Sequence, residues 1–368
     1  MKRMWFILGF FGLALTIFLW YSYALVDPNL TFVNHPLWAT WRESMVQLGY
    51  YQRELSSTIY LILLVLFFCF HFFFVYTKQK IPLWILVGIV VVTTLIAYPF
   101  LSHDLFNYLF DARIFTLYGK NPYLFKPLDF PLDPWLRFMH WVHRTYPYGP
   151  TFLPISIIPV ALSLGKFLPA FLLYKIMTAG WYIAGVWFLL RIKKSYAIFF
   201  ASHPLVIIEG LVNGHNDLIG VSLGLGALWW AWKKHQYLIS FLSGIVSTGI
   251  KYLSLPVFFL LFRSKLLWVI GGVIQLGMMG YIIVTGEIQP WYFLTLFVFV
   301  PVFPRLKTAG TVFSMGLLVS YYPYIRFGGW DILWKVQMKH SIIIVGFVIS
   351  IIILITQLFY KKLKRHEI

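Results

Sequence analysis

Twelve apolar runs follow one another along this chain, at about residues 5–25, 58–76, 82–100, 170–190, 196–212, 217–232, 237–250, 252–262, 266–284, 291–303, 308–325 and 341–359. A helical crossing of the bilayer core takes roughly 20 apolar residues. Backbone in lipid must satisfy its own hydrogen bonds, which leaves helices or a closed barrel. None of the runs alternates polar and apolar residues as barrel strands do. The pattern therefore predicts an all-α polytopic membrane protein of about twelve spans. Composition agrees, with 60% of 368 residues hydrophobic and 11% charged, against ~45–50% and ~25% in soluble domains. We expect one transmembrane domain over residues 1–368. A further apolar piece, 151–168, is broken up by prolines (Pro154, Pro159 and, just beyond, Pro169). Counting it as a span would turn Arg191, Lys193 and Lys194 outward, so it reads as re-entrant or interfacial.

The first run, from Trp5 to Leu25, carries Trp20 and Tyr21 and lacks a small-residue cleavage site. It reads as a retained first span with its N-terminus inside. Cationic residues concentrate in short inner loops of multi-pass proteins. With the first span so oriented, loops 77–81, 191–195, 233–236, 263–265 and 304–307, the tail from 360, and Lys2 with Arg3 hold 17 of the 30 Lys and Arg residues. Eleven of the twelve acids then fall outside or at outer helix ends, leaving Glu367 inside. The net charge of +18 is scattered between spans, which points to anionic lipid headgroups and not to nucleic acid. Cys69 has no second cysteine to pair with and reads as a small apolar residue.

The long loops, 26–57, 101–150 and 326–340, all fall outside, where sites on a membrane scaffold are usually built. Residues 101–150 are the candidate catalytic loop. On a helix from Asp104, Asp111 lies two turns on and shares its face, with Tyr108 between them and Arg113 close by. Paired carboxylates beside cations suit a reaction needing a base and charge stabilisation. An N-cap Asp104 and a local Asp111–Arg113 ion pair explain the same residues. Gly119 and Asn121-Pro122 read as a turn, and Tyr146-Pro147-Tyr148-Gly149-Pro150 as a rigid re-entry into the membrane. A second outer cluster, Asn213-Gly214-His215-Asn216-Asp217, follows Glu209 by one turn. Substrate contact or helix capping accounts for it, and its spacing matches no standard zinc pattern. Lys251 lies near an outer helix end, either snorkelling or neutralising a phosphate. Glu287, Pro290-Trp291-Tyr292 and Arg326 add further outer polar and aromatic groups.

Taken in order, Asp104-Leu-Phe-Asn-Tyr108-Leu-Phe-Asp111-Ala-Arg113, Gly119-Lys-Asn121-Pro122-Tyr123, Tyr148-Gly149-Pro150, Gly214-His215-Asn216-Asp217 and Lys251 resemble the GT-C glycosyltransferases, in particular the bacterial polyprenyl-phosphate mannosyltransferases. The likeness covers roughly residues 82–305. It departs at Asn107 and Ala112, where that family usually has Arg and Gly, and in the two-span hairpin that precedes the loop. The resemblance implies a GT-C fold and an inverting transfer of a hexose, mannose foremost, from a polyprenyl-phosphate-sugar donor to a lipid or glycan acceptor. Asp104 would be the base. Asp111, His215 and Asp217 would hold sugar hydroxyls or acceptor, and Lys251, Arg113 and Arg326 the phosphate. Tyr108, Asn121, Tyr148 and Asn216 complete the expected substrate-binding set. Phosphate leaves readily enough that no cofactor is expected, and a divalent metal is not favoured. The expected location is a bacterial plasma membrane with both termini cytoplasmic. A transporter or flippase is the competing class, and a GT-C-fold ligase or polymerase of lipid-linked glycans a further one. No internal repeat favours transport, and the charges crowd towards one face.

Overall fold

A computed structural model describes residues 2–366, which are 75% helical and contain no strand as described. Glu367 lies outside the described residues. The first helix, α1 (Lys2–Ser22), continues as a 3-10 turn to Leu25. Then come α2 (Pro36–Val46), α3 (Arg53–Tyr76) and α4 (Leu83–Thr94). Pro36 opens α2 at a position where a missing N–H costs nothing, and α4 ends just ahead of Tyr98-Pro99, where the proline ring disfavours further helix. Next are α5 (Asp104–Thr116), α6 (Phe152–Leu162), α7 (Phe167–Ile192) and α8 (Lys194–Ser202). The chain bends by 66° at His203-Pro204 into a π-helical stretch, Val206–Val212. The remainder comprises α9 (Asp217–Trp229), α10 (Tyr237–Ile250), α11 (Val257–Leu260) and α12 (Lys265–Thr285), then a 3-10 run, Pro290–Phe299. The chain closes with α13 (Lys307–Val319), α14 (Tyr322–Phe327) and α15 (Leu333–His366).

The fold is all-α, but twelve full-length spans are not what it presents. Among the described residues, five helices are long and apolar enough to cross a bilayer: α1 with its extension, α3, α7, α12 and α15. The bent α8–π pair makes a sixth if taken as one span. The other apolar runs are cut short. At 1.5 Å per residue α10 reaches only ~20 Å of a ~30 Å core, because extended backbone at Lys251 stops it. The run 291–303 is wound as a tighter 3-10 helix over Pro290–Phe299, and α4 has 12 residues.

Aromatic side chains knit the first helices together. Phe11 meets Phe74 at 5.3 Å between ring centres, and Phe18 meets Phe67 at 5.1 Å and Phe100 at 5.6 Å. Between α13 and α15 the contact is backbone on backbone: a Cβ on Gly316 would lie 2.9 Å from the Gly346 Cα, the small-residue packing that membrane helices use where lipid gives no hydrophobic drive. On α12, Val273, Leu276 and Val284 are 64%, 67% and 85% exposed. That apolar surface belongs to lipid.

The two ends of the helices differ chemically. At one end Lys193 and Lys307 both reach over the Tyr196 ring, and Arg263 Nη2 donates to the Trp232 carbonyl at 2.6 Å. At the other end Asp27, Asp104 and Glu287 line a shared cavity together with Arg53, Arg144 and Lys251.

Candidate active site

That cavity has a volume of about 1380 Å³. Pockets for single drug-sized ligands run ~300–1,000 Å³, so there is room for two substrates together. Its lining mixes apolar and polar residues. The apolar part of the lining includes Ile250 and Leu253 together with Gly277, Met278 and Ile282 of α12, which packs against the turn at 252–254. Polar residues in the lining include Asp27, Asn29 and Arg53, beside Trp330. Asp104, Arg144, Tyr148, Lys251 and Tyr292 lie on the wall as well.

Asp104 is the first residue of α5, and His103 occupies the N-cap. The carboxylate is therefore no cap, and it sits at the end of the helix whose free N–H groups favour negative charge. Its Oδ1 is 3.8 Å from Arg144 Nη2, and its Oδ2 is 3.8 Å from His215 Nδ1. Arg144 also lies over the Trp141 ring and donates to the Tyr148 hydroxyl at 3.4 Å. Tyr148 is seated by its neighbour. A Cβ on Gly149 would fall 2.0 Å from the Gly249 carbonyl oxygen, so only glycine lets this strap lie against the end of α10. Thr151 closes the contact, donating to the Val246 carbonyl at 2.7 Å.

Lys251 Nζ donates to Asp217 Oδ2 at 2.7 Å and stands 4.5 Å from the centre of the Tyr292 ring. Asp217 is wholly buried while Lys251 is partly exposed. The lysine thus closes a buried charge on one side and presents positive charge to the cavity on the other.

Of the residues expected from sequence, Asp104, Tyr148 and Lys251 line the cavity. Tyr108, His215, Asn216 and Asp217 are buried behind it. Tyr108 donates to Asn216 Oδ1 at 3.5 Å and packs on Tyr148. His215 lies flat on Trp291, 4.1 Å between ring centres. Asp111 is buried, and burial pushes its carboxyl up to about 8, with Arg144 opposing and Asp104 reinforcing the rise.

Three expected residues lie elsewhere. Arg113 does not pair with Asp111: its Nε donates to Asp133 Oδ2 at 2.6 Å, its Nη1 to the Gly165 carbonyl, and its guanidinium covers Trp135. Asn121 shapes a turn by accepting from the Tyr123 N–H at 3.0 Å. Arg326 pairs with exposed Glu54 at 2.9 Å. None of the three lines the cavity. Arg113→Met is expected to lower stability by about 3 kcal/mol, because it leaves the buried Asp133 carboxylate without its counter-charge and with only the Tyr118 hydroxyl and the Trp135 backbone N–H as donors, while the protein that stays folded keeps its activity. Thermal unfolding in detergent checks the first part and a per-molecule rate the second.

Sequence reading missed Arg144, one cation among 30; its only signal is its place two residues before the Tyr146-Pro147 strap. It also missed the stacking of His103 on His140, 3.6 Å between ring centres and 10° apart, which brings together residues 37 apart. No group of three or more His, Cys, Asp or Glu side chains is placed to hold a metal among the described residues.

Residues 6–269 match a family model described as alpha-(1->6)-mannopyranosyltransferase, N-terminal domain. No curated protein and no solved structure matches the chain.

Proposed function

The chain belongs to the alpha-(1->6)-mannopyranosyltransferase family, and on that premise we propose that it moves mannose from a polyprenyl-phosphate carrier to a glycan or glycolipid hydroxyl on the non-cytoplasmic face. It is a membrane glycosyltransferase, which removes the ground for the transporter alternative. The finer reading rests above all on one observation: Asp104 shares a cavity with three cations, Arg53, Arg144 and Lys251, and the lining of that cavity includes apolar residues of α12. A donor whose leaving group is a phosphate on a long apolar tail fits that combination. The tail lies along Ile250, Leu253 and α12, the phosphate meets Lys251 and Arg144, and the sugar is presented to Asp104.

Asp104 takes the acceptor proton as the hydroxyl attacks the anomeric carbon from the side opposite the phosphate. Single displacement of this kind inverts the anomeric centre, so a β-linked carrier yields the α linkage in the family's name. The developing charge on the leaving phosphate falls to Lys251 and Arg144, and no metal has a part in the proposed step.

The orientation follows from the same asymmetry. Basic side chains gather at the end away from the cavity, around Tyr196 and Trp232, which the inner leaflet favours. That end, with both termini, is assigned to the cytoplasm of a bacterial plasma membrane, and the short apolar segments are assigned as further crossings, twelve in all.

The test is transfer of labelled mannose by the purified protein from synthetic polyprenyl-phosphate-mannose to a membrane lipid extract. Product from this donor and none from a nucleotide-activated mannose supports the reading. The reverse pattern sinks the lipid donor and the outer face with it.

A further inference from the structure

Behind Asp104 the structure places two residues that touch no substrate-accessible surface yet are aligned with it. His215 is fully buried, and its Nδ1 lies 3.8 Å from Asp104 Oδ2. Its Nε2 lies 3.4 Å from Glu209 Oε2, and Glu209 is fully buried too. Neither ring nitrogen makes a hydrogen bond, and Glu209 Oε1 makes none. A buried polar group without a partner is costly, and here two nitrogens of one ring are left so, each pointing at a carboxylate. Such distances shorten when a substrate complex closes.

The arrangement is held from several sides. Trp291 stacks on the imidazole and favours it when charged. Asn213 Nδ2 donates to Glu209 Oε2 at 2.9 Å, fixing the carboxylate. Lys175 donates to the Leu211 and Val212 carbonyls, and Tyr174 to the Gly214 carbonyl at 3.0 Å, so the turn carrying His215 is tied to α7. The π-helical stretch matters here as well: it puts Glu209 beside a histidine six residues further on. Other charged or titratable groups around the pair are Asp217, the Tyr60 and Tyr321 hydroxyls near Glu209, and Lys339 farther off.

We propose that Glu209 and His215 are positioning residues forming a proton relay behind Asp104. This rests on the assignment of Asp104 as the base. The acceptor O–H gives its proton to Asp104 while the new C–O bond forms and the C1–O bond to phosphate breaks, its electron pair leaving on the phosphate oxygen. The proton then passes from Asp104 to His215 Nδ1, while Nε2–H remains directed at Glu209, whose charge stabilises the imidazolium. It returns through Asp104 to the cavity when the products leave. The relay keeps Asp104 ionised while the phosphate is still in place.

The experiment is a pH–rate profile of mannose transfer for the wild type, Glu209→Gln, His215→Gln, Asp104→Asn and the double Asp104→Asn/Glu209→Gln. The relay predicts that Glu209→Gln lowers kcat on the order of 10²-fold with KM for both substrates unchanged. Removing the buried negative charge also moves the acid limb to lower pH. His215→Gln loses the limb's shift and the rate together, and the double variant is no slower than Asp104→Asn alone. A merely structural Glu209 would reduce folded protein without moving the limb, and that result overturns the relay. An unchanged kcat and limb in Glu209→Gln, with Asp104→Asn inactive, also overturns it and leaves the base in place. Full activity in Asp104→Asn defeats the assignment of the base itself, and the relay falls with it.

Discussion

Asp104→Asn is expected to cut mannose transfer roughly 10²- to 10⁴-fold, the range for loss of a positioned general base, with folding intact. Asparagine keeps the shape and the dipole at the start of α5 but has no basic oxygen of comparable strength. Stability should hold because Arg144 and His215 stand at 3.8 Å, beyond hydrogen-bond length, so the substitution breaks no close pair. A variant that folds, binds donor and fails to transfer is the result that fits. Retention of most activity removes Asp104 from the chemistry, and Asp111 is a poor replacement. Burial holds its carboxyl near 8, so it keeps its proton at neutral pH. That shift has a second consequence. The folded state binds the Asp111 proton more tightly than the unfolded chain does, so its contribution to stability declines as pH rises from about 4 to about 8. Asp111→Asn should abolish that decline, measurable as a smaller loss of thermal stability between about pH 4 and pH 8.

Lys251→Met is the second large effect, and it has two parts. The Asp217 carboxylate is fully buried, and the lysine is its ion-pair partner at 2.7 Å. Breaking such a pair from one side costs about 3–5 kcal/mol. Removing the cation that faces the cavity should also slow transfer roughly 10²-fold or more. The two are separated by the double variant Lys251→Met/Asp217→Asn. Without a stranded charge the double should regain most of the thermal stability, yet transfer should stay lost. Recovery of transfer along with stability would reduce Lys251 to a partner of Asp217 and leave the phosphate to Arg144.

Residues legible in the sequence are those whose meaning is local. The apolar runs give helices and a bilayer, and the Asp104 segment is helical because nothing between it and Thr116 breaks a helix. The number of full-length spans was not legible, because an apolar run does not reveal whether it will wind as α, π or 3-10 helix or stop at an extended residue such as Lys251. Long-range choices were not legible either. Arg113 has an acid two positions before it and takes the one twenty positions after, since the fold brings Asp133 within 2.6 Å of its Nε while its guanidinium lies over Trp135. The Asp217–Lys251 pair joins residues 34 apart through the antiparallel packing of α9 and α10. His215 is a case of correct residue and different place: its polarity marks it for the site, and its burial against Trp291 sets it behind the wall.

The apolar part of the cavity lining, Ile250 and Leu253 with Met278 and Ile282 of α12, bears on how such a protein would meet the proposed donor. The lipid-borne donor proposed above would arrive sideways, from the plane of the bilayer, and the spent carrier would leave the same way. The relevant concentration is then the mole fraction of donor among its neighbouring lipids, not its amount per volume of water. Diluting donor and protein with extra detergent or phospholipid, at constant bulk concentrations, would slow turnover as surely as withholding substrate. Crowding the donor into a small patch of membrane would speed it.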